Sequence, residues 1–202
     1  MKIPRNWSEL TVGMYEELYP TFSKEYKNPV DKVIEQIMIL TDKSLEEIHA
    51  LPIEKYQEIQ QDLTFLNEPI EAPLKKKFWI GRKRYKFETN ARKLNGGSYM
   101  SVMHIQENDP NTKLHQVLFT IAKPINILGK EKKIGDFSEY YEDNIESFKE
   151  IPMSVAYPIV SFFLTLSKRL MDFTEDYLID QMSKMTENLD QTRKDLAKDL
   201  DG

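Results

Sequence analysis

Leu10-Thr11-Val12-Gly13-Met14-Tyr15-Glu16-Glu17-Leu18 reads as apolar, cap, x, Gly, x, Tyr, x, x, apolar, and Leu94-Asn95-Gly96-Gly97-Ser98-Tyr99-Met100-Ser101-Val102 reads the same way. Thr11 and Asn95 each stand where a side-chain oxygen can accept from the amides of a first helical turn, so both stretches predict a helix start. The order continues beyond them. Asn28-Pro29 opens a segment with Val30, Val33, Ile34, Ile37 and Met38 on one helical face, the Asn placed to cap and the Pro suited to the first helical position. Asp109-Pro110 opens its counterpart, with Leu114, His115, Leu118, Phe119 and Ile121. Ser44-Leu45-Glu46-Glu47-Ile48-His49-Ala50-Leu51-Pro52 then matches Asn144-Ile145-Glu146-Ser147-Phe148-Lys149-Glu150-Ile151-Pro152 in its cap, apolar and proline positions. Ser44 with Glu47 makes a capping box; the second copy keeps only the cap. The helices that follow share Ile59 with Ile159, Leu63 with Phe163 and Leu66 with Leu166. Any two amphipathic helices match at apolar positions, so the weight rests on the order of Gly-x-Tyr, Asx-Pro and apolar-Pro. The expectation is a mainly α chain of α+β class, with similar helical half-units at 1–68 and 94–170.

The halves flank a third region, 69–93. Lys75-Lys76-Lys77-Phe78-Trp79-Ile80-Gly81-Arg82-Lys83-Arg84-Tyr85-Lys86-Phe87-Glu88 places aromatic and aliphatic residues on both sides of a Gly-containing turn, which predicts a β-hairpin with a loop of two or three residues. A lone hairpin is marginal in water, so this one is expected to pack against the helices. The copies diverge after Ala122, where Lys123-Pro124-Ile125-Asn126-Ile127-Leu128-Gly129-Lys130-Glu131-Lys132-Lys133 stands against only Asp42-Lys43 in the first half. That insertion reads as a long loop, and long loops often carry function. From Pro152 onward no glycine occurs until Gly202, which predicts one long helix or two in series, with Pro158 kinking it or beginning its regular part. Residues 171–202 are expected to form a charged helical extension with a narrow apolar stripe. Such a stripe reads as a coiled-coil seam with another chain or as a frayed tail, with Leu178, Met182, Met185 and Leu189 as the expected seam.

Composition limits the chemistry. The chain has 202 residues, 40% hydrophobic and 30% charged, with a net charge of −5, as expected of a soluble globular protein. It has no run near the roughly 18 apolar residues of a membrane span, so no membrane contact is expected. Met1-Lys2-Ile3-Pro4-Arg5-Asn6-Trp7 lacks a signal-peptide core, and the chain is expected to stay in the compartment where it is made. There is no cysteine for thiolate ligands or nucleophiles. His49, His104 and His115 have no metal-motif spacing; His115 sits on a predicted buried face and reads as a packed side chain, the other two as surface residues. Acid pairs such as Glu46-Glu47 and Glu142-Asp143 are sequence neighbours, which do not face one another on a helix. Gly96-Gly97 lacks the company of a P-loop or dinucleotide motif and reads as turn and cap. No catalytic residue, metal or cofactor is expected.

One local feature goes against the acidic whole: Lys75, Lys76, Lys77, Arg82, Lys83, Arg84 and Lys86 cluster about the hairpin. The plainer reading turns the aromatic residues toward the helices and leaves the lysines to solvate an exposed edge. The functional reading makes these seven cations the contact for an anionic partner, an acidic protein ahead of nucleic acid.

Trp7-Ser8-Glu9-Leu10-Thr11-Val12-Gly13-Met14-Tyr15-Glu16-Glu17-Leu18, a short helix ending in Leu51-Pro52, and Phe78-Trp79-Ile80-Gly81-Arg82-Lys83-Arg84-Tyr85 together resemble small morphogenesis proteins of tailed bacteriophages. The likeness is to a group from phages of gut Bacteroidales, including crAss-like phages, some of them tail-assembly-chaperone-like. It covers about the first 170 residues in pattern and leaves the C-terminal extension unmatched. It implies a non-enzymatic role in building the virion, made in the bacterial host cytoplasm. The expected partners are phage structural proteins, a helix-forming tape-measure protein foremost, with a homo-oligomer also open. The alternative is a minor structural protein of the neck or tail, retained in the virion as a ring or cargo, whose hairpin contacts DNA or neighbouring subunits.

Overall fold

The computed structural model describes residues 3–90, 93–107, 110–133, 137–166 and 168–169. The chain divides into one compact unit, Met1–Phe163, and a second, Leu164–Gly202. The expected seam residues Leu178, Met182, Met185 and Leu189 lie outside the described residues.

The first half builds five helices: α1 (Val12–Leu18), α2 (Pro20–Ser23), α3 (Pro29–Thr41), α4 (Leu45–His49) and α5 (Ile53–Asp62), the last running into a 3-10 turn at Leu63–Asn67. Their starts follow the sequence signals. Thr11 Oγ1 accepts from the Met14 amide at 3.4 Å and Asn28 Oδ1 from the Val30 amide at 3.0 Å. Ser44 and Glu47 exchange both bonds of a capping box, and the Ser44 amide holds the Glu47 carboxyl below the usual carboxylate range.

Two strands follow, β1 (Lys77–Ile80) and β2 (Lys83–Phe87), paired antiparallel with Ile80 opposite Lys83. The loop is therefore the two residues Gly81-Arg82. Gly81 takes a φ of 52° at the first central position, where a glycine-first hairpin turn needs a left-handed backbone.

The second half holds α6 (Gly96–Glu107), a 3-10 turn at Pro110–Thr112, α7 (Leu114–Ile121), α8 (Phe137–Asn144), a 3-10 helix at Ile145–Glu150 and α9, residues 153–166. Asn95 Oδ1 caps α6 through the Ser98 amide at 2.8 Å. Three expectations need correction here. Pro110 opens only the short 3-10 turn; Lys113, at φ −138°, breaks the helical path, and α7 starts at Leu114. Asn144 does not cap: its amide is turned back to the Tyr140 carbonyl at 2.7 Å, and its Oδ1 accepts from Lys83 Nζ. The stretch after Ile121 is not simply a loop, because Ala122–Ile125 forms β3 and pairs with β2, giving an antiparallel sheet of order β1-β2-β3. Pro124 is tolerated because β3 lies at the sheet edge.

α9 runs from residue 153 through Pro158 without ending there. Its first amides find partners outside the helix: Met153 donates to the Leu10 carbonyl and Ser154 to the Trp7 carbonyl, while the Val12 amide donates to the Ile151 carbonyl. The N-terminal segment thus satisfies the first two orphan donors of α9.

Five matched pairs are buried on both sides, while Leu10 and Tyr15 are buried and their counterparts Leu94 and Tyr99 only partly so. Leu18 and Val102, Ile37 and Leu118, Ile48 and Phe148, Ile59 and Ile159, and Leu63 and Phe163 are all buried. The sheet seals onto the second half through aromatic rings. Phe78 stacks on Phe87 at 4.2 Å, and Tyr85 meets Phe148 edge-on at 5.1 Å, with Phe119 5.3 Å from Phe148. Such pairs add to the burial of ring area itself.

Candidate functional site

Alternation along the strands sorts the hairpin's side chains into two faces. Phe78, Ile80, Tyr85 and Phe87 point to the helices and are buried. Lys77 and Trp79 of β1, Arg84 and Lys86 of β2, and Lys123 and Ile125 of β3 occupy the outer face, joined by the pairings Lys77 to Lys86, Trp79 to Arg84, Arg84 to Ile125 and Lys86 to Lys123. Trp79 is 58% exposed, and its ring centroid lies 5.7 Å from the Arg84 guanidinium carbon. Ile125 shares this outer face and yet is buried.

What borders Ile125 is the turn that follows it. The Asn126 amide donates to the Lys130 carbonyl, the Gly129 amide to the Asn126 carbonyl, and the Lys130 amide to Asn126 Oδ1. Gly129, at φ 80°, closes this three-residue loop in the left-handed conformation that such hairpins take at their last loop residue. The loop is anchored to the sheet by Arg84, whose Nη1 donates to the Ile127 carbonyl at 3.0 Å. Lys77 Nζ comes within 3.7 Å of where a side chain at Gly129 would begin. At the tip, Ile127 and Leu128 are 83% and 82% exposed. Between the tip and Trp79 opens a hollow of about 360 Å³, lined among others by Arg82, Ile125 and Lys132. A hydrogen-bonded turn thus holds two large aliphatic side chains in water beside an exposed indole and a set of cations.

The seven cations singled out in the sequence are dispersed by this geometry. Lys77, Arg84 and Lys86 share the outer face, and Arg82 stands at the hairpin turn on the rim of the hollow. Lys75 and Lys76 are exposed in the segment leading into β1. Lys83 lies on the inner side of the alternation and is tied to Asn144. Sequence reasoning missed Lys123, Lys132, Ile127 and Leu128. The signal was present in the insertion, whose Asn126 and Gly129 flank an Ile-Leu pair in a turn pattern. Lys123 is the cation that meets acids: Glu88 and Glu131 each approach it at 3.7 Å.

A second region lies on the second half. A groove of about 610 Å³ runs along α6 and α7, lined by Ser98, Ser101, His104, Gln116 and Thr120 among others. A neighbouring hollow of about 400 Å³ shares Asn95, Ser98 and Thr120 with it and reaches Tyr140. Tyr140 and Tyr85 place their hydroxyls 3.5 Å apart, and burial pushes both phenols above their ordinary range. The Tyr140 hydroxyl donates and the Tyr85 oxygen accepts. Ile105 and Tyr141 line the groove beside its hydroxyls and amides.

Of the histidines, His49 is exposed, His104 borders the groove and His115 is buried. His115 Nδ1 lies 2.8 Å from the Glu16 carboxylate, and its backbone amide donates to Glu16 Oε1 at 2.8 Å. α7 has no capping side chain of its own, so Glu16 of α1 supplies one from the other half. Among the described residues, no three His, Asp or Glu side chains gather as a metal site, and no helix is long and apolar enough to cross a membrane. Comparison with protein-family models, with curated proteins and with solved structures gave no match to this chain.

Proposed function

We propose that this chain is a non-enzymatic assembly protein of a tailed phage, which holds a helix-forming structural partner, such as a tape-measure protein, during tail morphogenesis. The observation that carries the binding role is the exposed apolar cluster of Trp79, Ile127 and Leu128, fixed on a hydrogen-bonded turn. Large apolar side chains grouped on a surface mark sites of interaction. The phage setting rests on the sequence resemblance. Holding a partner's apolar stripe until it is used needs a surface of this kind and no chemistry. In this reading the protein acts in the host cytoplasm.

A retained structural component of the neck or tail is the second reading, favoured by the cationic outer face of Lys77, Arg84 and Lys86, which suits DNA or an acidic neighbouring subunit. Mass spectrometry of purified particles beside infected-cell lysate separates the two. The assembly reading expects the chain in the lysate and not in particles. Stoichiometric recovery in particles overturns it in favour of the structural component.

A further inference from the structure

We infer that the outer face of the sheet is a docking site for an acidic peptide segment of a partner protein, one that inserts a bulky apolar side chain between Trp79 and the Ile127-Leu128 tip while its carboxylates meet Arg82, Lys77 and Lys132. This rests on the assembly reading only for the source of the peptide.

Three features select that occupant. The first is charge complementarity: the face is cationic within a chain of net charge −5, so an acidic segment is drawn to this side while the acidic remainder repels it. The second is shape. The hollow is concave, about 360 Å³, with the apolar Ile125 among its lining residues, which suits one or two anchoring side chains. A flat lipid surface would leave that hollow unfilled. The third is preorganisation. Arg84 is already held against the Trp79 ring and bonded to the Ile127 carbonyl, and the turn is closed by Asn126 and Gly129, so little ordering remains to oppose binding. Nucleic acid would gain from the cations and from one ring, yet Arg84 already lies against that ring, and the aliphatic tip offers a base no stacking platform. An apolar centre with a tryptophan and arginines, ringed by charge, is the anatomy of an interface centre.

The test uses the full chain and four probes: a fluorescein-labelled Glu-Ala peptide with a central Leu-Phe pair, the same peptide without that pair, labelled oligothymidylate, and phosphatidylcholine vesicles containing phosphatidylserine. Fluorescence anisotropy should show saturable binding of the Leu-Phe peptide, weakened by salt, with binding of the pairless peptide at least about tenfold weaker. The double change Ile127→Ser with Leu128→Ser should lower affinity for the Leu-Phe peptide by about tenfold or more and leave the circular dichroism unchanged. Arg82→Glu, at the solvent-facing turn, should weaken both peptides and carries the test if the double variant does not fold. Equal binding of the two peptides, unaltered affinity in the folded variants, or no peptide binding overturns the inference. So does tighter binding of oligothymidylate or vesicles, or self-association that the double variant abolishes, which would assign the face to those occupants. Particle composition decides the assembly reading separately.

Discussion

The helix start at Thr11 is clasped by the rest of the molecule, whereas the start at Asn95 stands at the rim of a groove. In both, the cap side chain accepts from the amide three residues on, yet some matched residues have opposite fates. The Glu16 side chain is only 8% exposed, against His115; its counterpart Met100 is 71% exposed. Gly13 lets α1 approach the Ile145–Glu150 helix so closely that a Cβ there would lie 3.1 Å from Lys149 Cβ; Gly97 would meet only Asn95 Oδ1, at 3.6 Å. Similar local signals can therefore begin similar helices while tertiary packing assigns them different duties. The same holds at the connection that follows: Asp42-Lys43 is a tight link in the first half, and the longer stretch after Ile121 supplies an edge strand and the exposed tip.

The sharpest break of the comparison is Glu16→Ala against Met100→Ala. Removing Glu16 leaves buried His115 and the start of α7 without their acceptor, and should cost about 3 kcal/mol in urea unfolding. Met100→Ala should cost less than about 0.5 kcal/mol. Next come the caps. Asn144→Ala, which removes a buried side chain bonded to Lys83 and to the Tyr140 carbonyl, should cost about 2 kcal/mol. Ser44→Ala, at an exposed capping box, should cost about 1 kcal/mol. The glycines should then differ in sign. Gly13→Ala is expected to destabilise by about 1 kcal/mol through crowding of Lys149, and Gly97→Ala to stabilise by about 0.5 kcal/mol because the added methyl meets no close atom and the unfolded chain loses freedom. Equal shifts at both would show that the close approach at Gly13 does not constrain the fold. The smallest effect is expected at the tip, where Ile127→Ser with Leu128→Ser should change the urea midpoint free energy by no more than about 0.5 kcal/mol, since both side chains already face water.

Much of the helical order was legible because its signals are local. Thr11, Asn28, Ser44 and Asn95 each name their own helix start, and Phe78, Tyr85 and Phe87 alternate with polar residues as a half-buried hairpin must. What could not be read depends on distant partners. Ala122-Lys123-Pro124-Ile125 becomes a strand only because β2 offers it an edge, and its proline argues against a strand until that edge position is known. Asn144 looks like a cap until Lys83 and the Tyr140 carbonyl compete for it. The cation cluster was visible as composition, but the face it forms was not, since a single step of register decides which of Lys83 and Arg84 turns outward. The apolar tip lay inside a stretch that reads as loop, and only the turn geometry shows that its side chains are held in water.

The most direct measurement is site-specific photo-crosslinking in infected cells with a benzophenone amino acid at position 128, compared with the same group at exposed Glu25 in the first half, and with crosslinked peptides sequenced by mass spectrometry. The account predicts that position 128 crosslinks to an acidic, apolar-anchored segment of a phage structural protein and that position 25 does not. Equal yields at both positions, or products at position 128 that are only host proteins or nucleic acid, would contradict it.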